Sequence, residues 1–240
     1  MGILARARKT KLPMNSILFR YCLIALLGVA SLNAGAQERK LAPIDEAGND
    51  ASWVNFRNRL LVAIEKRDRK FVLGVLDRNG RNGSDAPRGT AECQKQWSLD
   101  ADDSPLWREL SSALFLGSAW LMREKRPREL CVPYVLAKWP ADLDPITHGV
   151  VVAREALVKS APSSNSQTLA TLSHDVVAVA DWEVDDQEAG SRQKWVKIRM
   201  TGAEGYVPEE QVRSPVEHAA CFVKTEGGWR MTVFGPAGRD

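Results

Sequence analysis

The sequence predicts an α+β protein with a helical N-terminal half, a small all-β unit and a closing C-terminal β-hairpin. Two patterns support this fold class. Between residues 51 and 117, apolar side chains recur every three or four positions, as they do on a helix with one buried face. From Gly149 onward, short β-branched runs recur at intervals of roughly eight to twelve residues between turn residues, which is typical of a small barrel or sandwich. The predicted units are a leader at residues 1–36, a mostly helical domain at 37–148, the β unit at 149–214 and the hairpin with its tail at 215–240.

The leader has the features of a bacterial signal peptide. Five basic residues and no acidic ones accompany an apolar run at residues 21–32. That run is about a dozen residues long, shorter than the roughly 20 that a membrane-spanning helix needs. Ala34-Gly35-Ala36 then supplies the small-x-small pattern that signal peptidase cleaves. We interpret the leader as a cleaved signal of a periplasmic or secreted protein; the alternatives are an uncleaved membrane anchor and a start at Met14.

The charge balance changes once the leader is removed. The whole chain has 33 Lys and Arg against 30 Asp and Glu, and five of the basic residues belong to the leader. The remainder has 28 basic against 30 acidic residues, a net charge of −2. A nearly neutral chain gives no support to nucleic-acid binding, and we expect no stable membrane span after cleavage.

Cysteine is sparse in the chain that remains. Cys22 leaves with the leader, which leaves Cys93, Cys131 and Cys221. Three thiols allow at most one internal disulfide, with three possible pairings and one cysteine left over. An oxidising periplasm would permit such a bridge.

Four helical segments are predicted in the N-terminal half. The apolar positions of the first, at residues 51–66, are Trp53, Phe56, Leu60 and Ile64 with their neighbours. Asp68 is a suitable N-cap for a shorter second helix, and a third covers residues 90–97. Ser104-Pro105 begins the fourth, which Gly117 ends. Residues 77–84, rich in Gly and Asn, predict a turn, and residues 130–138, with an internal proline, predict an edge strand or extended connection.

The C-terminal half reads as short strands joined by turns. A polar loop at residues 185–192 interrupts the series, and the last two strands meet at Glu226-Gly227-Gly228 as a hairpin. The predicted strands lie near residues 150–158, 168–172, 176–182, 195–200, 205–207, 219–224 and 229–234.

Several short motifs of this half resemble bacterial SH3 (SH3b) domains. Residues 157–166, Leu-Val-Lys-Ser-Ala-Pro-Ser-Ser-Asn-Ser, resemble their opening, apolar-x-Val-Arg-Ser-Gly-Pro-Ser. Trp195-Val196-Lys197-Ile198 resembles the family's Trp-x-x-Val strand, and Gly205-Tyr206-Val207 its terminal Gly-Trp/Tyr-Val. This sequence departs from the pattern at Lys159, where Arg is usual, and at Ala161, where Gly is usual.

The wider layout resembles a group of uncharacterised exported bacterial proteins that contain an SH3 domain. These proteins pair a helical N-terminal half with such a barrel and close on a Gly-x-Trp hairpin ending Ala-Gly-Asp. Here that ending runs from Gly228-Trp229-Arg230-Met231 to Ala237-Gly238-Arg239-Asp240, where Arg239 interrupts it. The resemblance implies a helical half followed by a small SH3-like β-barrel and a C-terminal β-hairpin. It implies binding rather than catalysis.

No enzyme motif stands out in the sequence. A cysteine peptidase needs a thiolate beside a histidine base, and neither Cys93 nor Cys131 lies in a nucleophile motif. Asp142, Asp144 and His148 are suitable metal ligands, but their spacing does not converge them. We therefore expect no catalytic residue, no metal and no cofactor.

The aromatic residues of the β unit are the candidate ligand-binding residues. Trp182, Trp195 and Tyr206 can form a platform for sugar faces or peptide backbone, since flat rings bind at low entropic cost. The alternative is that these rings fill the core and its rim. Glu209, just after Pro208, can supply a polar rim that captures an amine or amide.

The predicted function is that of an exported, non-catalytic binding protein. Its SH3b-like barrel would dock a cell-wall peptide or glycan, or a periplasmic protein, by groove contacts. Two alternatives stay open at this point. One is an interaction or assembly factor that uses the N-terminal half, and the other is an enzyme of unrecognised type.

Overall fold

Helices and strands alternate along the first half of the chain. The computed structural model describes residue 2 and residues 39–83, 88–123 and 127–237, so almost all of the predicted signal peptide lies outside the described residues. The helices that it describes are α1 (Ala51–Glu65), α2 (Arg69–Val75), α3 (Thr90–Gln96), α4 (Leu106–Phe115) and α5 (Tyr134–Lys138).

Two sheets collect the described strands. In the five-stranded sheet the spatial order is β1-β12-β11-β3-β2, and in the seven-stranded sheet it is β10-β4-β7-β8-β9-β5-β6. The members of the first are β1 (Leu76–Arg81), β2 (Ala119–Leu121), β3 (Glu129–Val132), β11 (His218–Thr225) and β12 (Gly228–Pro236). Those of the second are β4 (His148–Val151), β5 (Ala156–Lys159), β6 (Thr168–Leu172), β7 (Val176–Asp185), β8 (Lys194–Met200), β9 (Ala203–Pro208) and β10 (Val212–Arg213).

The prediction of a helical N-terminal half is wrong. Three strands, β1, β2 and β3, come from that half, and the described chain has more residues in strands than in helices. The β11–β12 hairpin forms as predicted, but it lies between β1 and β3 at the middle of the five-stranded sheet. The prediction failed because β1 pairs in parallel with β12, about 150 residues later, through an irregular register that leaves no local pattern.

The predicted helices form where the sequence places them. Asp50 caps α1, since its Oδ1 accepts hydrogen bonds from the backbone N–H of Ser52 at 2.8 Å and of Trp53 at 3.3 Å. The Asp68 carboxylate accepts from the N–H of Phe71 at 2.9 Å and caps α2. Beyond α4, Gly117 adopts a φ of +83°, which ends the helix. The segment at residues 130–138 differs from the prediction, because β3 is an interior strand and α5 follows it.

The predicted closed barrel is also wrong, because the seven-stranded sheet is open. Its two ends still curl toward each other around one core. Val151 of β4, near one edge, and Val158 of β5, near the other, belong to the same buried cluster. The polar loop between β7 and β8 packs on the outside, where the N–H of Gln187 donates to the carbonyl of Pro162 at 2.9 Å.

A second core lies where the helices cover the five-stranded sheet. Trp53 of α1 packs edge-to-face on Phe222 at 5.0 Å and on Trp229 at 5.1 Å, measured between ring centroids. A third, smaller cluster joins the sheets, since it contains Ala119 of β2 and Val150 of β4. The described chain from Arg39 onward thus belongs to one compact unit, Glu38–Asp240.

One disulfide links two neighbouring strands of the five-stranded sheet. Of the three possible pairings, the structure has Cys131 of β3 bonded to Cys221 of β11, directly opposite in the register. Cys93 is the remaining cysteine, free and buried.

Candidate functional site

A groove lies between α4 and the seven-stranded sheet, and we call it the α4 groove. Its volume is 980 Å³. One wall is α4, and the other is formed by the end of β7, the start of β8 and the segment after β9. A groove of this size is within the range that proteins use for small ligands and peptide segments.

Trp182 lines the α4 groove from β7. The side chain is half-buried, and its Nε1 donates a hydrogen bond to the carbonyl of Ile146 at 3.0 Å. Gly149 makes room for the ring, because a Cβ at that position would lie 2.7 Å from Cη2 of Trp182. The indole is therefore held by its N–H, while the rest of its exposed surface contributes to the groove.

Glu209 lies in the same groove, at the start of a short 3₁₀ turn. Partial burial raises the pKa of its carboxyl, and the nearby negative charge of Glu183 raises the pKa further. Neither Glu183 nor Glu209 forms an ion pair with a described residue. Glu210 accepts a hydrogen bond from Gln193 at 2.7 Å, so three carboxylates cluster at this end of the groove.

The cations that line the groove are mostly paired with other acids. Arg108 binds Glu109 at 2.8 Å, and Arg213 binds Glu217 at 2.8 Å. Lys194 pairs with the carboxylate of Asp185. Arg192 also lines the groove without an ion-pair partner among the described residues. The unpaired groups are therefore the three carboxylates and one guanidinium, an excess of negative charge that favours a cationic group.

Trp195, the second candidate, does not line the groove. Its side chain is 3% exposed, and its Nε1 donates to Oδ2 of Asp186 at 2.9 Å. The backbone N–H of Glu188 and this indole N–H lower the pKa of the Asp186 carboxyl. In the structure, Trp195 fills the core and holds the polar loop.

Tyr206, the third candidate, also lies outside the groove. It is half-buried in β9, directly opposite Lys197 of β8 and Lys159 of β5. The Nζ of Lys197 lies 6.0 Å from the centroid of the Tyr206 ring. The structure therefore brings Trp182 and Glu209 together, and places Tyr206 on a charged face of the sheet.

Phe115 at the end of α4 is a groove residue that sequence reasoning missed. Its side chain is 75% exposed, an unusual exposure for a phenylalanine. Phe115 is not among the buried apolar positions of α4. An aromatic side chain on the exposed face of an amphipathic helix was the signal that could have identified it. Phe115 also lines a second cavity of 630 Å³ between α1 and α4, the α1–α4 cleft, with Val62 and Trp107.

A partly buried cluster of charged groups lies beside the α4 groove and shares Glu109, Arg213 and Glu217 with its lining. His218 begins β11, and its Nδ1 lies 3.6 Å from Oε2 of Glu109. Burial lowers the pKa of His218, an effect that Glu109 opposes and Arg213 reinforces. Burial also raises the pKa of Glu217, against the effect of Arg213.

Cys93 and Asp142 are placed where neither is available as a nucleophile or a metal ligand. Burial raises the pKa of Cys93 to about 11, which disfavours a thiolate. Asp142, which the sequence analysis considered as a metal ligand, forms an ion pair with Arg39 at 2.8 Å. Within the ranges that the structure describes, no three His, Cys, Asp or Glu side chains are grouped to hold a metal ion. No helix in those ranges is both long and apolar enough to cross a membrane.

Comparison with known proteins adds no relative. No protein-family model, no curated protein and no solved structure matches this chain.

Proposed function

We propose that this chain is an exported, non-catalytic binding protein that holds a cell-wall peptide in the α4 groove. The observation that carries the proposal is that Trp182 and Glu209 line the same groove, an aromatic surface beside a carboxylate. The SH3b-like motifs of the sequence support the same reading. So does the Cys131–Cys221 disulfide, since disulfides persist in oxidising compartments.

The charges of the groove favour a peptide over a glycan. Wall peptides carry free amines, and the carboxylates of Glu183 and Glu209 have no described ion-pair partner. A glycan would need aromatic faces with polar partners for its hydroxyl groups. The groove offers one half-buried indole, and its N–H already donates to Ile146.

Co-sedimentation with purified peptidoglycan sacculi tests this proposal. The chain from Gln37 onward should pellet with sacculi. Glu209→Gln should weaken binding roughly tenfold, because a hydrogen bond between charged groups is lost. Trp182→Ala should weaken binding too, with circular dichroism to verify its fold.

Two controls make the result specific. Tyr206→Ala removes an aromatic ring outside the groove and should pellet like the wild type. Sacculi whose free amines have been acetylated should bind far less protein. A wild type that stays in the supernatant overturns wall binding, and equal binding to acetylated sacculi overturns the amine as the recognised group.

A second candidate function is a periplasmic interaction or assembly factor. It is favoured by the exposed apolar surface of the α1–α4 cleft, where Val62 is 47% and Phe115 75% exposed. A photo-cross-linking residue at Val62 should then give a discrete adduct in the periplasm. The same residue at exposed Arg59 on α1 is the control.

A further inference from the structure

The end of β7 that borders the α4 groove contains a β-bulge at Trp182 and Glu183. Between Asp181 and Val184 the register advances three residues along β7 but two along β8, so β7 has one extra residue there. Neighbouring side chains of a regular strand point to opposite faces of the sheet, yet Trp182 and Glu183 both line the groove. The bulge therefore brings an indole and a carboxylate into the groove together.

The carboxylate of Glu183 is close enough to Glu209 for the two charges to interact. Partial burial raises the pKa of the Glu209 carboxyl, and the negative charge of Glu183 raises the pKa further. Both side chains line the groove, and neither has an ion-pair partner among the described residues. An ammonium group bound here would be attracted to both carboxylates and would offset their mutual repulsion.

Arg192 brings the opposite charge to the same end of the groove. It lines the groove two residues before β8, is exposed, and has no ion-pair partner among the described residues. Its neighbour Gln193 donates through Nε2 to Oε2 of Glu210 at 2.7 Å, which places Arg192 beside the carboxylates. A guanidinium binds a carboxylate through two parallel hydrogen bonds. This end of the groove therefore offers partners for an ammonium and for a carboxylate.

We propose that this end of the α4 groove recognises an amino-acid end, in which an ammonium and a carboxylate share one carbon. This assignment rests on the function proposed above and names the part of the wall peptide that the groove binds. Glu183 and Glu209 bind the ammonium, and Arg192 binds the carboxylate. The exposed surface of the Trp182 indole packs on the hydrocarbon chain behind this end. The ligand class is a wall peptide whose diamino acid carries a free carboxylate beside its side-chain amine.

The two signs of charge make the groove selective. A plain amine, such as a lysine side chain, would bind the carboxylates but would lie beside the like charge of Arg192. A plain carboxylate would bind Arg192 but would lie beside Glu183 and Glu209. A ligand with both groups avoids both repulsions, so it should bind more tightly than either.

Titration followed by nuclear magnetic resonance tests the ligand class, since it detects even weak binding. The probe is diaminopimelic acid blocked at one end by an acetyl group and an amide. Its other end is left free, amidated at the carboxyl group, or acetylated at the amine. The chain from Gln37 onward should bind the free form about fivefold more tightly than the amidated form, and the acetylated form should bind most weakly. Equal affinities for the free and amidated forms, or no binding of any form, overturn the inference.

Variants at Arg192 test the assigned contact. Arg192→Gln should bind the free form about fivefold more weakly than the wild type does, and the amidated form at least as tightly. Arg192→Glu should prefer the amidated form, because its carboxylate repels that of the ligand. Arg59→Gln removes an exposed arginine of α1 outside the groove and should behave like the wild type. A preference for the free form that survives in Arg192→Glu overturns the role of Arg192.

Modified sacculi separate this inference from wall binding itself. Sacculi whose carboxyl groups have been amidated keep their amines and should pellet less of the wild type. Non-specific attraction would have the opposite effect, since acidic residues outnumber basic ones in the chain without its leader. Equal pelleting with native and amidated sacculi keeps the wall-binding function and overturns this inference. A wild type that pellets with neither overturns the wall-binding function.

Discussion

Gly149 determines how Trp182 enters the α4 groove. A Cβ at this position would lie 2.7 Å from Cη2 of Trp182 and 2.9 Å from Cγ1 of Val212. Both distances are shorter than real side chains allow, so the ring needs glycine there. The candidate ligand surface thus depends on a residue that touches no ligand.

Gly149→Ala should destabilise the protein and weaken ligand binding. The added methyl has to displace Trp182 or Val212, and overpacking of this kind costs about 1–3 kcal/mol. Urea unfolding measures the loss, and sacculi co-sedimentation measures binding. The matched control is Gly74→Ala in α2, where a Cβ meets nothing within 4 Å and should stabilise by up to about 1 kcal/mol. Wild-type stability and binding in Gly149→Ala would contradict this account.

Residue type alone did not distinguish the candidate tryptophans. Trp182 and Trp195 both lie on strands of one sheet, and both donate a hydrogen bond through Nε1. One borders a groove and the other is buried beneath a loop. Trp182 lines the groove together with α4, which is distant in the chain, whereas Trp195 is held by Asp186 of the loop just before it. The contact with α4 is not encoded near Trp182.

At the scale of elements, the contact between α4 and β11 brings several partly buried charged groups together. The ring of His218 packs on Trp97 at 5.0 Å, between ring centroids, and faces Glu109 of α4. Arg213 of β10 donates to the backbone carbonyl of His218 and binds Glu217. The positive charge of Arg108 on α4 also lowers the pKa of His218.

This contact should make stability depend on pH. Because burial lowers the pKa of His218 below the ordinary value of about 6.5 for histidine, the unfolded chain takes up a proton first as the pH falls. The stability that neutral His218 contributes is therefore full above about pH 6.5 and is lost as the pH falls through its folded pKa. Urea unfolding on either side of pH 6.5 measures this loss.

His218→Phe is the matched variant for that prediction. It keeps an aromatic ring against Trp97 and Phe234 and cannot take up a proton. The variant should lose less stability on acidification than the wild type. Glu217 titrates in both proteins, and its raised pKa works in the opposite direction, so only the difference between the two reports on His218. Equal losses in both proteins would refute the assignment.

At the scale of the whole molecule, each end of the described chain is tied to a distant segment. Arg39 and Leu41 pair with the start of β7, where the N–H of Val176 donates to the carbonyl of Arg39 at 2.7 Å. The C-terminal hairpin completes a sheet whose other strands come from the first half. The Cys131–Cys221 disulfide fastens these halves across 90 residues of sequence.

Replacing both cysteines with alanine should lower the free energy of unfolding by about 4 kcal/mol. The reason is the entropy that the unfolded chain regains when a loop of 90 residues is released. Urea unfolding of the double variant against the wild type measures it. A reductant should destabilise the wild type and leave the double variant unchanged. If the reduced wild type stays more stable than the reduced double variant by the same amount, the stability difference comes from packing and not from the disulfide.

Much of the fold was predictable where local chemistry decides. The caps at Asp50 and Asp68 and the apolar stripes of α1 and α4 lie where the sequence places them. β1 was not predictable, because Leu-Asp-Arg-Asn-Gly-Arg reads as a turn and becomes a strand only beside β12. Two predicted site residues, Trp182 and Glu209, do line one groove. Phe115 was identified as a groove residue only from its exposure in the structure.

The sequence by itself determined the helices, the order of the strands in the C-terminal half and the hairpin. It also predicts the leader. These depend on neighbours within a few positions, where capping, periodicity and turn geometry act. The tertiary structure decided that the N-terminal half contributes three strands, that the seven-stranded sheet stays open, and that Cys131 pairs with Cys221. It also decided which aromatic side chains face a groove. These outcomes depend on contacts between segments far apart in the chain, whose pairing is set by the packing of the whole core.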